Sequence, residues 1–264
     1  MAGVNSRLYA VGMKSNFAIG WSKAGLVGLI AAAGFSAAAQ GVSAQTAPYA
    51  PGTIGYDVSY PQCGASAPAG AFGIIGVNGG RPFSNNSCLA AEYSAAPSAP
   101  APSLYINTGY SGAYRKNITS DCAGQSKSVP GSSAQRQAWG IGCSEAESSF
   151  NYARSSAPTV AMWWLDVETA NSWSSSNLSL NQYTINGAAA ELTTLTTAAG
   201  ITLPVGVYSS ASMWTTIAGP SSFAHSNIAA DWETAGGACG TSFSGDPVWL
   251  VQSTTGGIDS DKAC

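Results

Sequence analysis

Charge is scarce in this sequence. Only 9% of its 264 residues are Asp, Glu, Lys or Arg, with ten basic residues against thirteen acidic. Without a basic excess the chain has no electrostatic footprint for nucleic acid. It also lacks the cationic surface that would hold it on anionic walls or membranes, so a bound polymer must be gripped locally, in a cleft. Histidine is scarcer still, with His225 alone, in a Ser/Phe-rich stretch expected to face solvent. One histidine and no Cys-x-x-Cys pair leave no familiar metal-ligand spacing. No Ser-His-Asp nucleophile signature occurs, and Gly79-Gly80 is not a phosphate loop. The sequence therefore predicts neither metal nor cofactor. Long apolar runs are missing too: the stretch from Ala24 to Ala39 has about 16 residues, short of the roughly 20 a membrane-spanning helix needs.

That stretch follows Arg7, Lys14 and Lys23 and precedes the small residues Val42-Ser43-Ala44. Residues 1–44 thus read as a secretory signal, with an uncleaved membrane anchor as the alternative. Residues 45–264 are long enough for one domain with a full core, expected to be secreted, monomeric and free of the membrane once the signal is removed. They keep seven basic and all thirteen acidic residues, a formal charge of −6. All six cysteines (Cys63, Cys88, Cys122, Cys143, Cys239, Cys264) lie in this part. An even count behind an export signal predicts three disulfides in an oxidising compartment. Pairing in sequence order is expected, because each bridge then closes a loop of about 20 to 25 residues, worth roughly 3 kcal/mol in the loop-entropy picture.

Along the domain, continuous apolar runs alternate with helical stretches. Ile54 to Ser59, Phe72 to Val77, Leu104 to Asn107, Met162 to Val167 and Pro204 to Tyr208 read as strands. Runs without alternation suit a parallel sheet buried on both faces. Helices are expected over Cys88 to Ala96, from a capping box at Ser144-Glu145-Ala146-Glu147 to about Ser155, from a second box at Ser179 to Gln182 as far as Gly200, and over Ser210 to Ile217. Gly109 to Gly142 lacks periodicity and reads as a long surface excursion. Asn227 to Trp232 and Val248 to Gln252 look like strands joined by loops too short for long helices. The expected class is α/β, a degenerate (β/α) barrel of roughly five β/α units plus three C-terminal strands.

Met162-Trp-Trp-Leu-Asp-Val-Glu168 carries the most chemistry. On a strand Asp166 and Glu168 share a face, their backbones roughly 6.6 Å apart, close enough for each charge to raise the other's proton affinity. One carboxyl can then stay protonated as a general acid beside an ionised neighbour. In a barrel of this kind active sites lie at the C-terminal strand ends. Asp57 ends the first strand, Asp166 and Glu168 the fourth, and Asp259 follows the last, so four acids fall at one expected mouth. Aromatics accompany them, and aromatic faces suit the C–H faces of sugar rings. Tyr56, Tyr105, Asn78, Trp164, Tyr208, Trp232 and Gln252 are the candidate sugar contacts.

With Gly55-Tyr56-Asp57-Val58-Ser59, Phe72-Gly73-Ile74-Ile75, Leu165-Asp166-Val167-Glu168, Pro204-Val205-Gly206-Val207-Tyr208, Val251-Gln252 and Ile258-Asp259 in this order, the chain resembles the glycoside hydrolase family 25 muramidases. The resemblance implies cleavage of the bond between N-acetylmuramic acid and N-acetylglucosamine. It implies Glu168 as general acid, Asp166 orienting the substrate's 2-acetamido group, and Asp57 and Asp259 framing the cleft. Substrate assistance, with the sugar's own amide as nucleophile, would release the site from the usual relation between carboxyl spacing and stereochemistry. The chain departs from the family's pattern at Gly76 to Gly80, at Tyr105-Ile106-Asn107 and at Asp231-Trp232-Glu233. Two functional classes follow: a secreted glycosidase acting on peptidoglycan or a related N-acetylhexosamine polymer, and a non-catalytic carbohydrate- or wall-binding domain on the same scaffold.

Overall fold

Each expected apolar run forms a strand. A computed structural model of the chain describes residues 45–220, 223–234, 239–255 and 257–264; the export segment read at 1–44 lies outside the described residues. Strands β1 (Ile54–Val58), β2 (Gly73–Gly76), β3 (Ser103–Asn107), β4 (Trp163–Asp166), β5 (Val205–Ser209), β6 (Ala230–Glu233), β7 (Val248–Thr255) and β8 (Ile258–Ala263) close a barrel in sequence order. Neighbours from β1 to β7 are parallel. β8 runs antiparallel to both β7 and β1 and completes the ring. Helices α1 (Leu89–Ala95), α2 (Ser120–Ser126), α3 (Ser133–Ala153), α4 (Leu178–Ala198) and α5 (Ala211–Ala218) fill the connections up to β6, except that β1 reaches β2 through a single 3-10 turn at Tyr60–Gln62. The α/β barrel with three closing strands is as the sequence predicts.

Strand parity builds two cores. Outward residues such as Val58, Ile75, Leu104, Ile106, Trp163, Leu165 and Val207 pack under the helices against Leu89, Ile185, Leu192, Trp214 and Ile217. Inward residues Ile74, Trp164, Ala230, Trp232, Leu250 and Ala263 fill the barrel itself with Phe72 and Met162. Large rings fit there because the facing strand carries glycine: the Trp164 indole lies where a side chain at Gly206 would stand, and the Tyr105 ring lies over Gly76. Tyr49, in the lead-in before β1, plugs the floor. It is 3% exposed, and its hydroxyl bonds the Ser103 hydroxyl at 2.6 Å and accepts the Trp164 indole N–H at 3.1 Å.

The stretch from Gly109 to Gly142 is not a loose excursion. It holds a 3-10 segment (Gly112–Asn117), α2 and the first half of α3. Ser144 and Glu145 therefore lie buried in mid-helix, and the box that opens α3 is Ser132 with Gln135, each side chain bonding the other's backbone N–H. Asn177 rather than Ser179 caps α4. Periodicity is weak because α3 and α4 meet through small residues. A side chain at Gly142 would run into the Thr184 carbonyl, and one at Gly187 into the Trp139 carbonyl. Backbones this close need no bulky apolar stripe, so none is written over the first half of α3.

The disulfides join Cys63 to Cys88, Cys122 to Cys143 and Cys239 to Cys264, with Cα atoms 5.6, 5.7 and 5.4 Å apart. The second ties α2 to α3, and the third fastens the end of β8. No helix among the described residues is long and apolar enough to cross a membrane.

The helix crossing gives a direct check. Gly142→Ala should overpack the α3/α4 contact and cost about 1–3 kcal/mol. Gly124→Ala, where a methyl meets nothing within 4 Å, should be neutral or mildly stabilising through helix propensity. Thermal denaturation of the two variants, followed by circular dichroism, separates them.

Candidate active site

The parity that packs Trp164 inward also brings Asp166 into the barrel at its upper end. Glu168, two residues on and past the end of β4, continues the inward series, while Val167 between them packs outward. A cleft of about 370 Å³ opens at this mouth, lined by Asp57, Asp166, Glu168 and Asp259, with Tyr105, Tyr208, Trp232, Thr234, Gln252 and Thr254. The four acids expected to act together do meet there. No Lys or Arg is among the lining residues.

Confining these carboxyls without a counter-ion raises their proton affinity. Asp166 is 5% exposed, and burial first, then the Glu168 charge, lifts its carboxyl well above the ordinary range. Two amides soften that cost: Asn107 Nδ2 donates to Asp166 Oδ2, and Asn171 Nδ2 reaches Asp166 Oδ1 at 3.5 Å. Glu168 is raised in the same direction, by burial and by Asp259, with a hydrogen bond from Asp166 opposing the rise. Burial and neighbouring charge thus push both carboxyls of the pair toward the protonated form. Across the cleft, burial and Asp259 push Asp57 up to about 7, against the Gln252 amide, whose Nε2 donates to Asp57 Oδ2 at 2.8 Å. Gln252 Oε1 in turn accepts from the Tyr208 hydroxyl at 2.7 Å, which fixes the amide's orientation. Thr254 donates to Asp259 Oδ1 at 2.6 Å.

Below Asp57 sits an acid that the sequence reading passed over. Asp261, fully buried on β8, accepts the Trp232 indole N–H on Oδ1 at 2.9 Å. Its Oδ2 is buried with no fixed donor facing it. Burial, followed by the Asp57 charge, holds its carboxyl well above the usual range, and a proton on Asp261 satisfies that oxygen by donation to Asp57. A signal was present: Asp259 and Asp261 are spaced like Asp166 and Glu168, so on one strand they share a face.

Of the expected sugar contacts, Tyr105, Tyr208, Trp232 and Gln252 line the cleft. Trp232 does so as its floor, 2% exposed and edge-on to Trp164 at 5.6 Å between ring centroids. The other three lie elsewhere. Tyr56 alternates with Asp57 and so faces outward, in the layer beneath the helices. Trp164 shares the parity of Asp166 but lies one layer deeper, bonded to Tyr49. Asn78 is structural: its amide donates to Glu145 Oε1 at 3.0 Å and to the Ser84 carbonyl at 2.9 Å, and its Oδ1 accepts from Asn107 N at 2.7 Å. His225 does not point freely to solvent. Its side chain is 11% exposed, with Nδ1 3.5 Å from Asp246 and Nε2 3.2 Å from the Ser244 carbonyl.

No family model matches the chain, and no curated protein does. Solved structures do. A family GH25 lysozyme from Aspergillus fumigatus matches with a TM-score of 0.50 and 13% identity, over 80% of this chain and 93% of that one. The modular Cpl-1 endolysin complexed with a peptidoglycan analogue matches with a TM-score of 0.43 for the wild-type chain, at 15% identity over 81% of this chain. The matched part spans 55% of that endolysin's length. The likeness is one of fold, an α/β barrel. The chain's fold is that of the GH25 lysozymes.

Carboxyls raised by burial make stability depend on pH in a defined direction. Asp57 and Glu145, both lifted to about 7 chiefly by burial, keep a proton in the folded chain where the unfolded chain has lost it. Folding then takes up protons between about pH 4 and pH 7, and stability falls as pH rises through that window. The melting temperature should be higher at pH 4.5 than at pH 7.5, and Asp57→Asn or Glu145→Gln should each flatten the slope. A melting temperature independent of pH would contradict the assignment.

Proposed function

We propose that the chain is a secreted, lysozyme-like glycosidase that cleaves β-1,4 bonds of peptidoglycan or a related N-acetylhexosamine polymer by substrate-assisted acid catalysis. The observation that carries the reading is the coupled Asp166–Glu168 pair on one side of a cleft, with Asp57 and Asp259 framing it. The GH25 lysozyme fold supports it as analogy. Three disulfides are in keeping with an oxidising, extracellular setting.

The chemistry follows from where one proton resides. In the free cleft Asp166 and Glu168 share it. When a sugar enters with its 2-acetamido N–H against Asp166, that donor favours the ionised form of Asp166 and leaves the proton on the more accessible Glu168. Glu168 gives it to the glycosidic oxygen as the C1–O bond breaks, and the acetamido carbonyl oxygen closes on C1 to give an oxazolinium ion. Asp166, still accepting the N–H, balances its charge. Glu168, now a carboxylate, takes a proton from water as the water oxygen bonds C1 and the ring reopens. Asp57, kept in place by Gln252 and Asp261, and Asp259, held by Thr254, border the sugar opposite.

The rival reading, a non-catalytic carbohydrate-binding domain, needs the same cleft but no proton donor. Glu168→Gln keeps shape and hydrogen bonding while removing the transferable proton, so turnover should fall by about 10²- to 10⁴-fold with fold and binding retained. Asp166→Asn should be nearly as harmful, since the amide loses its charge partner. Release of reducing ends from purified peptidoglycan and from chitin oligomers provides the measurement. Equal inertness of wild type and Glu168→Gln on both substrates, with binding intact in each, would replace the enzyme by the binding domain.

A further inference from the structure

Beside the acid-lined cleft lies a second cavity, of about 210 Å³, and the two share Asp57 and Asp259 in their walls. Its character is different. Val58, Ala65, Ala67, Pro68, Ala91 and Ala95 form its apolar wall, and Cys88, bridged to Cys63, lies beside them. An engineered apolar cavity of about 150 Å³ holds a benzene, so this one has room for a chain of several carbons. The ionisable groups in its lining are all acids, Asp57, Asp259 and Glu92, with no Lys or Arg. An occupant with its own carboxylate would lose hydration there and find no cation to pair with. Glu92 is held in this wall by Asn86, whose Nδ2 donates to its Oε2 at 2.7 Å.

We propose that this cavity is a subsite for a neutral N-acyl substituent of the bound glycan, its alkyl chain lying against the alanines. Continuity with the cleft through Asp57 and Asp259 puts the substituent on the same ligand that lies across the Asp166–Glu168 pair, so the proposal rests on the glycan reading given above. The acid-only lining selects against acyl groups ending in a carboxylate. Selectivity then resides in α1 and the turn at Tyr60–Gln62, away from the proton-transfer pair.

Chitotetraose carrying N-acetyl, N-butanoyl or N-succinyl groups tests this, titrated calorimetrically into the chain with Glu168→Gln so that nothing is cut. The butanoyl form should bind about 15-fold more tightly than the acetyl form, at about fourfold per added methylene. The succinyl form, of nearly the same length, should bind at least tenfold more weakly than the butanoyl. Ala91→Phe, which fills the cavity from α1, should erase the butanoyl advantage while the chain keeps a cooperative melt. Equal or weaker binding of the butanoyl form, or an advantage surviving in folded Ala91→Phe, overturns the subsite. Hydrolysis by the wild-type chain is read separately: acyl preference without turnover upholds the subsite and removes the enzyme, whereas turnover without preference does the reverse.

Discussion

Five carboxyl groups at one end of a barrel, with no cationic side chain lining the cleft they form, set the terms for the rest of the structure. Bringing Asp57, Asp166, Glu168, Asp259 and Asp261 together would be prohibitive if all were ionised, since buried like charges repel at low dielectric and lose hydration. Protons and neutral donors answer this together. Asn107 and Asn171 attend Asp166, Gln252 attends Asp57, and the Trp232 indole attends Asp261. These donors come from β3, the β4–α4 connection, β7 and β6, so the register of nearly the whole barrel is committed to holding the acids. The aromatic interior has the same origin: Trp232 needs Trp164, Tyr105 and Tyr208 around it to stand where its N–H meets Asp261.

A cleft that stores protons in this way suits acid catalysis on uncharged ligands. Burial and the Glu168 charge keep Asp166 neutral in the free protein, against the pull of two amides, and in the proposed mechanism an arriving acetamido group adds one more donor and tips the balance toward ionisation. An Arg or Lys in their place would fix the charge state and leave no proton to give. Fold alone does not decide chemistry, but an interior organised around protonated carboxyls would be an expensive arrangement for simple adhesion.

Much of this was legible in the chain. Buried parallel strands write themselves as unbroken apolar runs, the D-x-E spacing puts two acids on one face, and short intervals between cysteines favour pairing in order. What failed to show has physical reasons. α3 packs on α4 through Gly142 and Gly187, so the pattern that marks a helix is diluted to glycine, serine and alanine. The Ser-x-x-Glu motif at Ser144 misled because neither of its ends caps a helix: in mid-α3, Ser144 Oγ accepts the Thr119 backbone N–H at 3.0 Å and Glu147 Oε2 accepts the Thr119 hydroxyl at 2.6 Å. Tyr56 and Trp164 could have been placed by parity and depth, since one alternates with Asp57 and the other precedes Asp166 by a full pleat. Asn78 could not, because its partners come from α3 and from the loop at Ser84, which no local pattern brings near it.

The antiparallel eighth strand has a temporal meaning as well as a geometric one. β1 finds one of its two neighbours only in residues 258–263, with Gly55 opposite Asp261 and Ile54 opposite Lys262. Until those last residues are available the sheet has two open edges and the acid cluster lacks Asp259 and Asp261. A ring that shuts by joining the beginning of the domain to its end carries a large loop-closure entropy and a high contact order, the signature of slow folding. The bridge from Cys239 to Cys264 then holds the closing strand in covalent form once it is in place.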